Sequence, residues 1–297
     1  MSVHDVPRGA AAPAASGRRS RGTALVRLAT RHPVGALGAA VVATLVLVAA
    51  FAGYLSPVDP NAQVGARLSP PSVDHLLGLD QLGRDVLSRL IFGARVSLLV
   101  SATSVGLSLL VGGGLGLIAG YHGGAADQGI MRAMDLMFTV PSFVLAIALT
   151  GILGPSLPNV IVAIAIVTTP TIARVARAPA LTVRETEFVS NARAAGAGDL
   201  RILWRHVLPN VAGPIIVQVT ACIADAILIE AGLSFLGLGV QPPYASWGNM
   251  LGTGRSYIGL ATGLSVFPGA AIMLAVLGFN FAGDGLRDML DPRWRRT

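Results

Sequence analysis

Long uncharged stretches alternate with short polar segments along this chain. Pro33–Leu55 and Val96–Tyr121 contain no charged residue. The first holds 23 residues, which as a helix would cover roughly 34 Å at about 1.5 Å per residue and so cross a hydrocarbon core of about 30 Å. Because unpaired backbone groups cannot face lipid, each stretch is predicted to form a helix.

Three further regions extend this pattern. Leu136–Ala173 is uncharged but too long for one crossing, and Gly-Pro-Ser-Leu-Pro at 154–158 predicts a turn that divides it into two spans. Val211–Leu233 and Ile258–Ala282 predict the fifth and sixth spans, and none shows the alternation of a membrane barrel. The pattern therefore predicts an all-α polytopic membrane protein with six transmembrane helices, five of them within a core at residues 96–283.

The distribution of arginine predicts the orientation of these spans. All 22 basic residues are Arg, and with the N-terminus inside, the inner segments carry 17 of them and the outer segments five. Cytoplasmic loops usually carry the excess of positive charge, so both termini are expected to be cytoplasmic. Residues 1–32 are predicted to form a largely disordered tail, and residues 284–297 a second tail. The pI of about 10.9 then reflects orientation, and no binding to nucleic acid is expected.

The composition excludes several classes of function. Hydrophobic residues make up 53% of the chain and charged residues 12%, whereas soluble domains carry about a quarter charged residues. A P-loop needs a lysine to reach the phosphates, and this chain has none. It has no HExxH zinc motif, no GxSxG nucleophile elbow and one cysteine, Cys222. We therefore expect no catalytic residue, no metal site and no cofactor bound by this chain.

The first span could also be a signal peptide, because Ala50-Phe51-Ala52 resembles a cleavage site. Its apolar stretch is longer than the usual 7–15 residues of a signal peptide, and five more spans follow, so an uncleaved anchor at 33–55 is the favoured interpretation.

Residues 56–95 are predicted to form the first outer segment. From Gly83 to Ile91 the apolar residues lie on one helical face, and Arg84, Asp85 and Arg89 lie on the other. This pattern is typical of an amphipathic helix at the membrane surface. The helix would either contact an extracytoplasmic partner or cap the bundle. A second outer loop at 234–257 carries aromatic residues such as Trp247, which would form a headgroup belt or a gate over the pore.

Asp225 and Glu230 are the only acidic residues inside a predicted span. An ionised carboxylate at membrane depth is costly, so such residues usually face a cavity or a partner. Both are candidates for a translocation pathway, where they would meet a cationic group. Asp225 is the stronger candidate, since Glu230 lies closer to the outer end of its span. An ion-driven secondary transporter that uses both acids as a relay is the contrasting hypothesis.

Glycine and proline residues in the spans leave two further questions open. Gly112, Gly116 and Gly120 recur every four residues, which favours close packing of helices in lipid. Their neighbour is either a helix of the same chain or one of a second membrane subunit. Pro141 and Pro170 can kink the third and fourth spans.

The polar segment at 179–210 predicts two short cytoplasmic helices hinged at Gly196-Ala197-Gly198. Thr182–Glu185 resembles a capping box, and Asp199 is a plausible N-cap for the second helix. The first helix would place four residues on one face, namely Phe188, Val189, Ala192 and Ala195. The second would bury a stripe of five, namely Leu200, Leu203, Trp204, Val207 and Leu208. Such a compact pair between spans indicates a docking site for an external partner.

Several separated motifs, in the right order, resemble the permeases of binding-protein-dependent ABC importers. Ser190–Gly196 followed by His206–Pro209 is similar to their EAA loop, although Ser190 and Asn191 replace its glutamate and first alanine and His206 its isoleucine. Further motifs resemble the C-type subunit of dipeptide, oligopeptide and related nickel permeases: His75–Asp80, Gly83–Arg95, Leu233–Gly239 and Gly283–Arg293.

This resemblance implies a type I ABC importer permease fold in the cytoplasmic membrane. It implies a heterodimer with a B-type permease, two ATPase subunits that bind ATP and Mg²⁺, and an extracytoplasmic solute-binding protein. Peptide is the expected cargo, with nickel or another small solute as the alternative. The coupling helix would comprise Glu187, Phe188, Ser190, Asn191, Ala192, Arg193, Ala194, Ala195, Gly196 and Ala197. The candidate contacts with the binding protein are Arg84, Asp85, Arg89 and Trp247.

Overall fold

The computed structural model of the protein describes residues 33–290. The predicted N-terminal tail, 1–32, and residues 291–297 of the predicted C-terminal tail therefore lie outside the described residues. Helices and two isolated β-bridges make up the regular structure of this range. The α-helices are α1 (Pro33–Ala50), α2 (Ala52–Leu55), α3 (Val86–Ser108), α4 (Gly114–His122), α5 (Gly124–Phe138), α6 (Ser142–Leu153), α7 (Leu157–Val183), α8 (Glu187–Ala194), α9 (Asp199–Ile202), α10 (Leu208–Phe235), α11 (Trp247–Gly254) and α12 (Gly263–Leu290).

Short π-helical turns join two pairs of these helices into longer rods. Leu109–Gly113 connects α3 to α4, and Leu203–Val207 connects α9 to α10. Five described segments are long and apolar enough to cross a membrane: α1, α3–α4, α7, α9–α10 and α12. The pair α5 and α6 passes the same test only when taken together, and counted as one broken span it brings the described spans to the six expected from the sequence.

The third span, predicted from Leu136 with a possible kink at Pro141, is broken at that proline. Helices α5 and α6 meet at an angle of 86°. Pro141 lies at the break with an extended backbone conformation, φ −52° and ψ 131°. Proline has no amide hydrogen and clashes with the preceding helical turn, so the helix ends at Phe138 and starts again at Ser142. By contrast, α7 continues through Pro170.

The glycines of the second span pack inside this chain. A Cβ atom on Gly112 would lie 2.5 Å from the carbonyl oxygen of Thr169, and one on Gly120 would lie 2.7 Å from Cβ of Ala180. A Cβ atom on Gly116 would collide with the carbonyl oxygen of Ala173. All three neighbours belong to α7, so the close approach of the second span to α7 decides the question in favour of internal packing.

The first and last described helices also approach closely. Gly35 of α1 faces Gly285 of α12, and a Cβ atom on either would lie 2.5 Å from Cα of the other. Along the same contact, a Cβ atom on Gly38 would collide with the backbone of Ala282. The first span therefore packs directly against the last.

The amphipathic helix predicted at residues 83–91 is not a separate element. Helix α3 begins at Val86 and continues into the second span. Asp85 caps it by accepting hydrogen bonds from the backbone nitrogen and hydroxyl of Ser88, at 2.8 and 2.7 Å. Asp85 and Arg89 are 1% and 5% exposed. The polar face is buried because the segment before α3, residues 56–85, supplies its partners.

Candidate functional site

Helix α8 lies between two spans and exposes most of its length. Val189 is fully buried in a cluster with Tyr121, Ile202 and Val207, and this anchors the helix. Ala192 and Ala197 are half-buried. The other residues of the predicted coupling set are exposed: Glu187, Phe188, Ser190, Asn191, Arg193, Ala194, Ala195 and Gly196. Of the four residues predicted on one face of this helix, Val189 and Ala192 turn inward, whereas Phe188 and Ala195 are exposed.

The predicted glycine hinge is a tight turn that ends α8. Gly196 has φ +80°, a conformation that glycine adopts without strain. The amide of Gly196 donates to the carbonyl of Arg193 and that of Ala197 to the carbonyl of Ala192, both at 3.0 Å. These bonds satisfy carbonyl groups at the helix end. The turn redirects the chain into α9 within three residues.

The predicted helix starts differ from the observed ones. Thr182 belongs to the last turn of α7, so no capping box forms at 182–185. Helix α8 begins at Glu187, and its N-cap residue Thr186 makes no side-chain cap hydrogen bond. Gly198 is the N-cap residue of α9, and Asp199 is the first residue of that helix. The carboxylate of Asp199 has another partner, Tyr121.

Tyr121 ties this segment to the second span. Its hydroxyl donates to Oδ1 of Asp199 at 2.7 Å and accepts from Nη2 of Arg193 at 3.2 Å. The hydrogen bond with Tyr121 raises the pKa of Arg193 above its usual value. The partners are 78 and 72 residues away along the chain. No local pattern marks Tyr121, so sequence reasoning missed it.

The second helix exposes part of its predicted buried stripe. Leu200 and Trp204 are 70% and 66% exposed, whereas Ile202 and Val207 are fully buried. Trp204 lies inside the π-helical turn at Leu203–Val207, where the wider turn changes the direction of its side chain, whereas Leu200 lies before that turn. Together with Phe188, which is 42% exposed, the segment presents three large apolar side chains to its surroundings.

A cleft of about 600 Å³ lies at the bend of the third span. The bend, α7 and α10 form its walls. Among the described residues that line it, Asp225 is the only ionisable side chain apart from the thiol of Cys222, and Ser142, Thr168 and Thr171 supply hydroxyl groups. The remaining lining residues are Phe138, Val140, Pro141, Phe143, Val167, Leu228, Ile229 and Gly232. The cleft is thus an apolar space with one carboxylate.

Glu230 does not line this cleft, although the sequence suggested both acids for one pathway. It is fully buried inside the chain. Ser97 and Ser234 donate to its two carboxylate oxygens at 3.1 and 2.7 Å, and Ser246 also bonds to it. Hydroxyl donors from three elements therefore solvate Glu230, which explains how the acid is accommodated there.

The four candidate contacts with a binding protein lie mostly inside the fold. Trp247 is 1% exposed; its indole nitrogen donates to the carbonyl of Leu90 at 3.0 Å, and its ring lies against Gly93. Asp85 and Arg89 are buried as described above. The side chain of Arg84 is 13% exposed and pairs with Asp80 at 2.7 Å. These side chains shape the segment from within, so an external contact through Trp247, Asp85 or Arg89 is contrary to their burial.

Comparisons with known proteins agree on a transport family. Residues 112–296 match the family described as the binding-protein-dependent transport system inner membrane component. The di/tripeptide transport system permease protein of Pseudomonas aeruginosa is 48% identical over 274 residues, covering 90% of each chain. The probable D,D-dipeptide transport system permease protein of Escherichia coli is 43% identical, covering 93% of each. The glutathione transport system permease protein of Pectobacterium atrosepticum is also 43% identical.

A solved structure shares the fold. A chain of the MetNI methionine ABC transporter, in an inward-facing conformation, superposes with a TM-score of 0.57 at 19% identity. The match covers 69% of this chain and 97% of that one. The helices described above therefore form an ABC importer permease fold. With the family match and these relatives, the chain belongs to the binding-protein-dependent transport system inner membrane components.

Proposed function

We propose that this chain is the C-type permease subunit of an ATP-driven importer of short peptides. It forms half of the translocation pathway and pairs with a B-type permease in the cytoplasmic membrane, with both termini in the cytoplasm. Two ATPase subunits supply the energy and a solute-binding protein delivers the cargo, while this subunit itself catalyses no reaction. The names of the relatives support peptide as the cargo. Nickel has less support, since no cluster of His, Cys, Asp or Glu suited to a metal occurs within residues 33–290.

The observation that carries this proposal is the construction of α8. The helix is anchored by Val189 and exposes small residues at 194, 195 and 196, so its backbone can approach a partner closely. Tyr121 connects it to α4 through Asp199 and Arg193. A displacement of α8 by an ATPase would therefore be transmitted to the second span, and through the glycine contacts to α7.

Alternating access follows from this connection. When the ATPases close on ATP, α8 moves with one of them and pulls on α4 and α7. Helix α7 forms one wall of the cleft that contains Asp225. Its displacement would change which side of the membrane the cleft faces. Asp225 lies on the translocation pathway in this scheme. Glu230 has a structural role instead, since it connects α10 to α3 through the hydroxyl of Ser97.

A charged residue on α8 tests the docking. Ala194 is exposed and no packing within residues 33–290 depends on it, so Ala194→Arg should leave the fold intact. We expect this variant to lose co-purification with the ATPase subunits, and ATP-dependent uptake of a labelled dipeptide into proteoliposomes to fall to background. Ala66→Arg, at an exposed position before α3, is the matched control and should retain the ATPases. Normal ATPase binding and uptake in Ala194→Arg would refute docking through α8.

A further inference from the structure

Asp225 occupies an unusual place for a charged side chain. It lies ten residues before the end of α10 at Phe235, which corresponds to about 15 Å of helix. With a hydrocarbon core of about 30 Å, this is close to the middle of the membrane. A carboxylate at this depth is costly unless it faces a cavity, a partner or a ligand. Asp225 faces the 600 Å³ cleft.

The carboxylate has no partner within residues 33–290. No hydrogen bond or ion pair reaches it there. Arg174 lies three residues after Thr171, which lines the cleft, and it is already engaged elsewhere. Arg174 donates to Asp135 at 2.8 Å, and its guanidinium lies 4.4 Å from the ring centre of Phe138. The carboxylate of Asp225 is therefore available to pair with a cationic group that enters the cleft.

The contrast with Glu230 sharpens this point. Glu230 lies five residues later on the same helix, and three serine hydroxyls bond to it. The described part of the chain thus supplies hydrogen-bond donors to the buried acid, Glu230, and none to Asp225, which faces the cleft. The lining of the cleft also includes the hydroxyls of Thr168 and Thr171, and Thr168 already donates to the carbonyl of Ile164 at 2.8 Å.

The size and chemistry of the cleft limit what could pair with Asp225. A volume of about 600 Å³ is within the range of pockets that hold small organic ligands. Its apolar walls suit side chains of varied shape, and the lining contributed by residues 33–290 includes no basic residue that would bind a carboxylate. A single carboxylate accepts hydrogen bonds from an ammonium group. The free amino terminus of a peptide is such a group, since its pKa near 8 keeps it largely protonated at neutral pH.

We propose that Asp225 is the specificity residue of the cleft and binds the primary ammonium group of the cargo. This inference rests on the proposed function, because it takes the cleft as part of the peptide pathway. Asp225 receives the amino terminus, and the apolar walls accept the side chains without selecting among them. The subunit therefore discriminates by the charge of one end of the peptide. Cargo with a blocked amino terminus lacks this contact.

Direct binding tests the inference without the binding protein. The assembled permease and ATPase complex, in lipid nanodiscs, would be titrated with a dipeptide and with its N-acetylated form, using an NMR readout that reaches millimolar Kd. We expect the wild-type complex to prefer the free dipeptide by about tenfold, as for one hydrogen bond between charged groups. Asp225→Asn should lose this preference by weakening the binding of the free dipeptide alone, and Asp225→Glu should retain it.

Controls separate this inference from the proposed function. Asp284→Asn removes an exposed carboxylate of α12, away from the cleft, and should bind both peptides as the wild type does. If the wild type shows no preference, or if Asp225→Asn weakens both peptides equally, Asp225 does not bind the ammonium group. In the second case it supports the structure or pairs with another subunit. ATP-dependent uptake of peptide by the wild type is measured separately, and its absence would instead refute the peptide importer.

Discussion

In the 56–85 segment and the start of α3, Asp80, Asp85 and Arg89 are buried and paired inside the chain, whereas Glu187 and Arg193 of α8 are exposed. Arg89 illustrates the first arrangement, since it lies 3.5 Å from Asp80 and donates to the carbonyl of Pro60 at 3.0 Å. Charges buried in this way set the shape of a segment before any partner arrives. The α8–α9 segment, residues 187–202, is held by two buried side chains, Val189 and Ile202, and by the hydroxyl of Tyr121, so most of its surface remains available. The ion pairs of the 56–85 segment thus fix its shape, whereas the α8–α9 segment has fewer internal contacts and can be displaced by a partner.

The largest expected effect comes from removing Asp80. Its carboxylate pairs with Arg84 at 2.7 Å and Arg89 at 3.5 Å, so Asp80→Ala leaves two cations buried without their partner. Loss of one member of a buried ion pair costs about 3–5 kcal/mol. We expect a decrease of this size in the free energy of unfolding, measured by SDS titration. Asp74→Ala, at an exposed position in the same segment, is the control, and an equal stability of both variants would show that the segment does not depend on its ion pairs.

A smaller effect is expected at Glu230, where the same principle operates within the membrane. Glu230→Ala removes the acceptor shared by Ser97, Ser234 and Ser246, and leaves buried hydroxyls unpaired at a cost of about 2 kcal/mol. Ser246 is the N-cap residue of α11, so amide hydrogen exchange in α11 should accelerate. Glu230→Gln keeps an acceptor oxygen and should change both measurements less. If the two variants behave alike, the carboxylate is not what holds α11.

The smallest effect, and the most local, is expected at Tyr121. Tyr121→Phe removes the hydroxyl that bonds to Asp199 and Arg193 and should cost about 1 kcal/mol. Because α8 has few other ties, amide hydrogen exchange should accelerate in α8 and remain unchanged in α3. Tyr54→Phe, at a position 89% exposed, is the matched control. Unchanged exchange in α8 would mean that Val189 alone positions the helix.

Much of the fold follows from the hydrophobic pattern, because length and apolar character are local properties of the sequence. The apolar stretches correspond to the spans, and the turn at 154–156 separates α6 from α7 as predicted. The kink expected at Pro141 is confirmed, since proline cannot continue a helix. The angle of 86° was not predictable, because the packing of α5 and α6 against their neighbours determines it.

The sites were less predictable than the spans. The exposed small residues of α8 can be recognised from composition, whereas its link to Tyr121 depends on residues more than 70 positions apart. The helical period placed Asp85 and Arg89 on an outward polar face, and their partners His75, Asp80 and Pro60 reversed that orientation. Similarly, the π-helical turn at 203–207 shifted Trp204 to the surface. Each miss arises from a tertiary contact or a local irregularity that the period cannot encode.

The glycine pair at positions 35 and 285 has a consequence for how this protein can vary. Each residue fills the space that a methyl group on the other would need. The volume available to a side chain at one position therefore depends on the residue at the other. An alanine at one site forces the two helices apart, and a second alanine then enters a gap that has already opened. The cost of the double substitution should therefore be smaller than the sum of the two single costs. Substitutions tolerated at one end of the chain depend on what stands at the other.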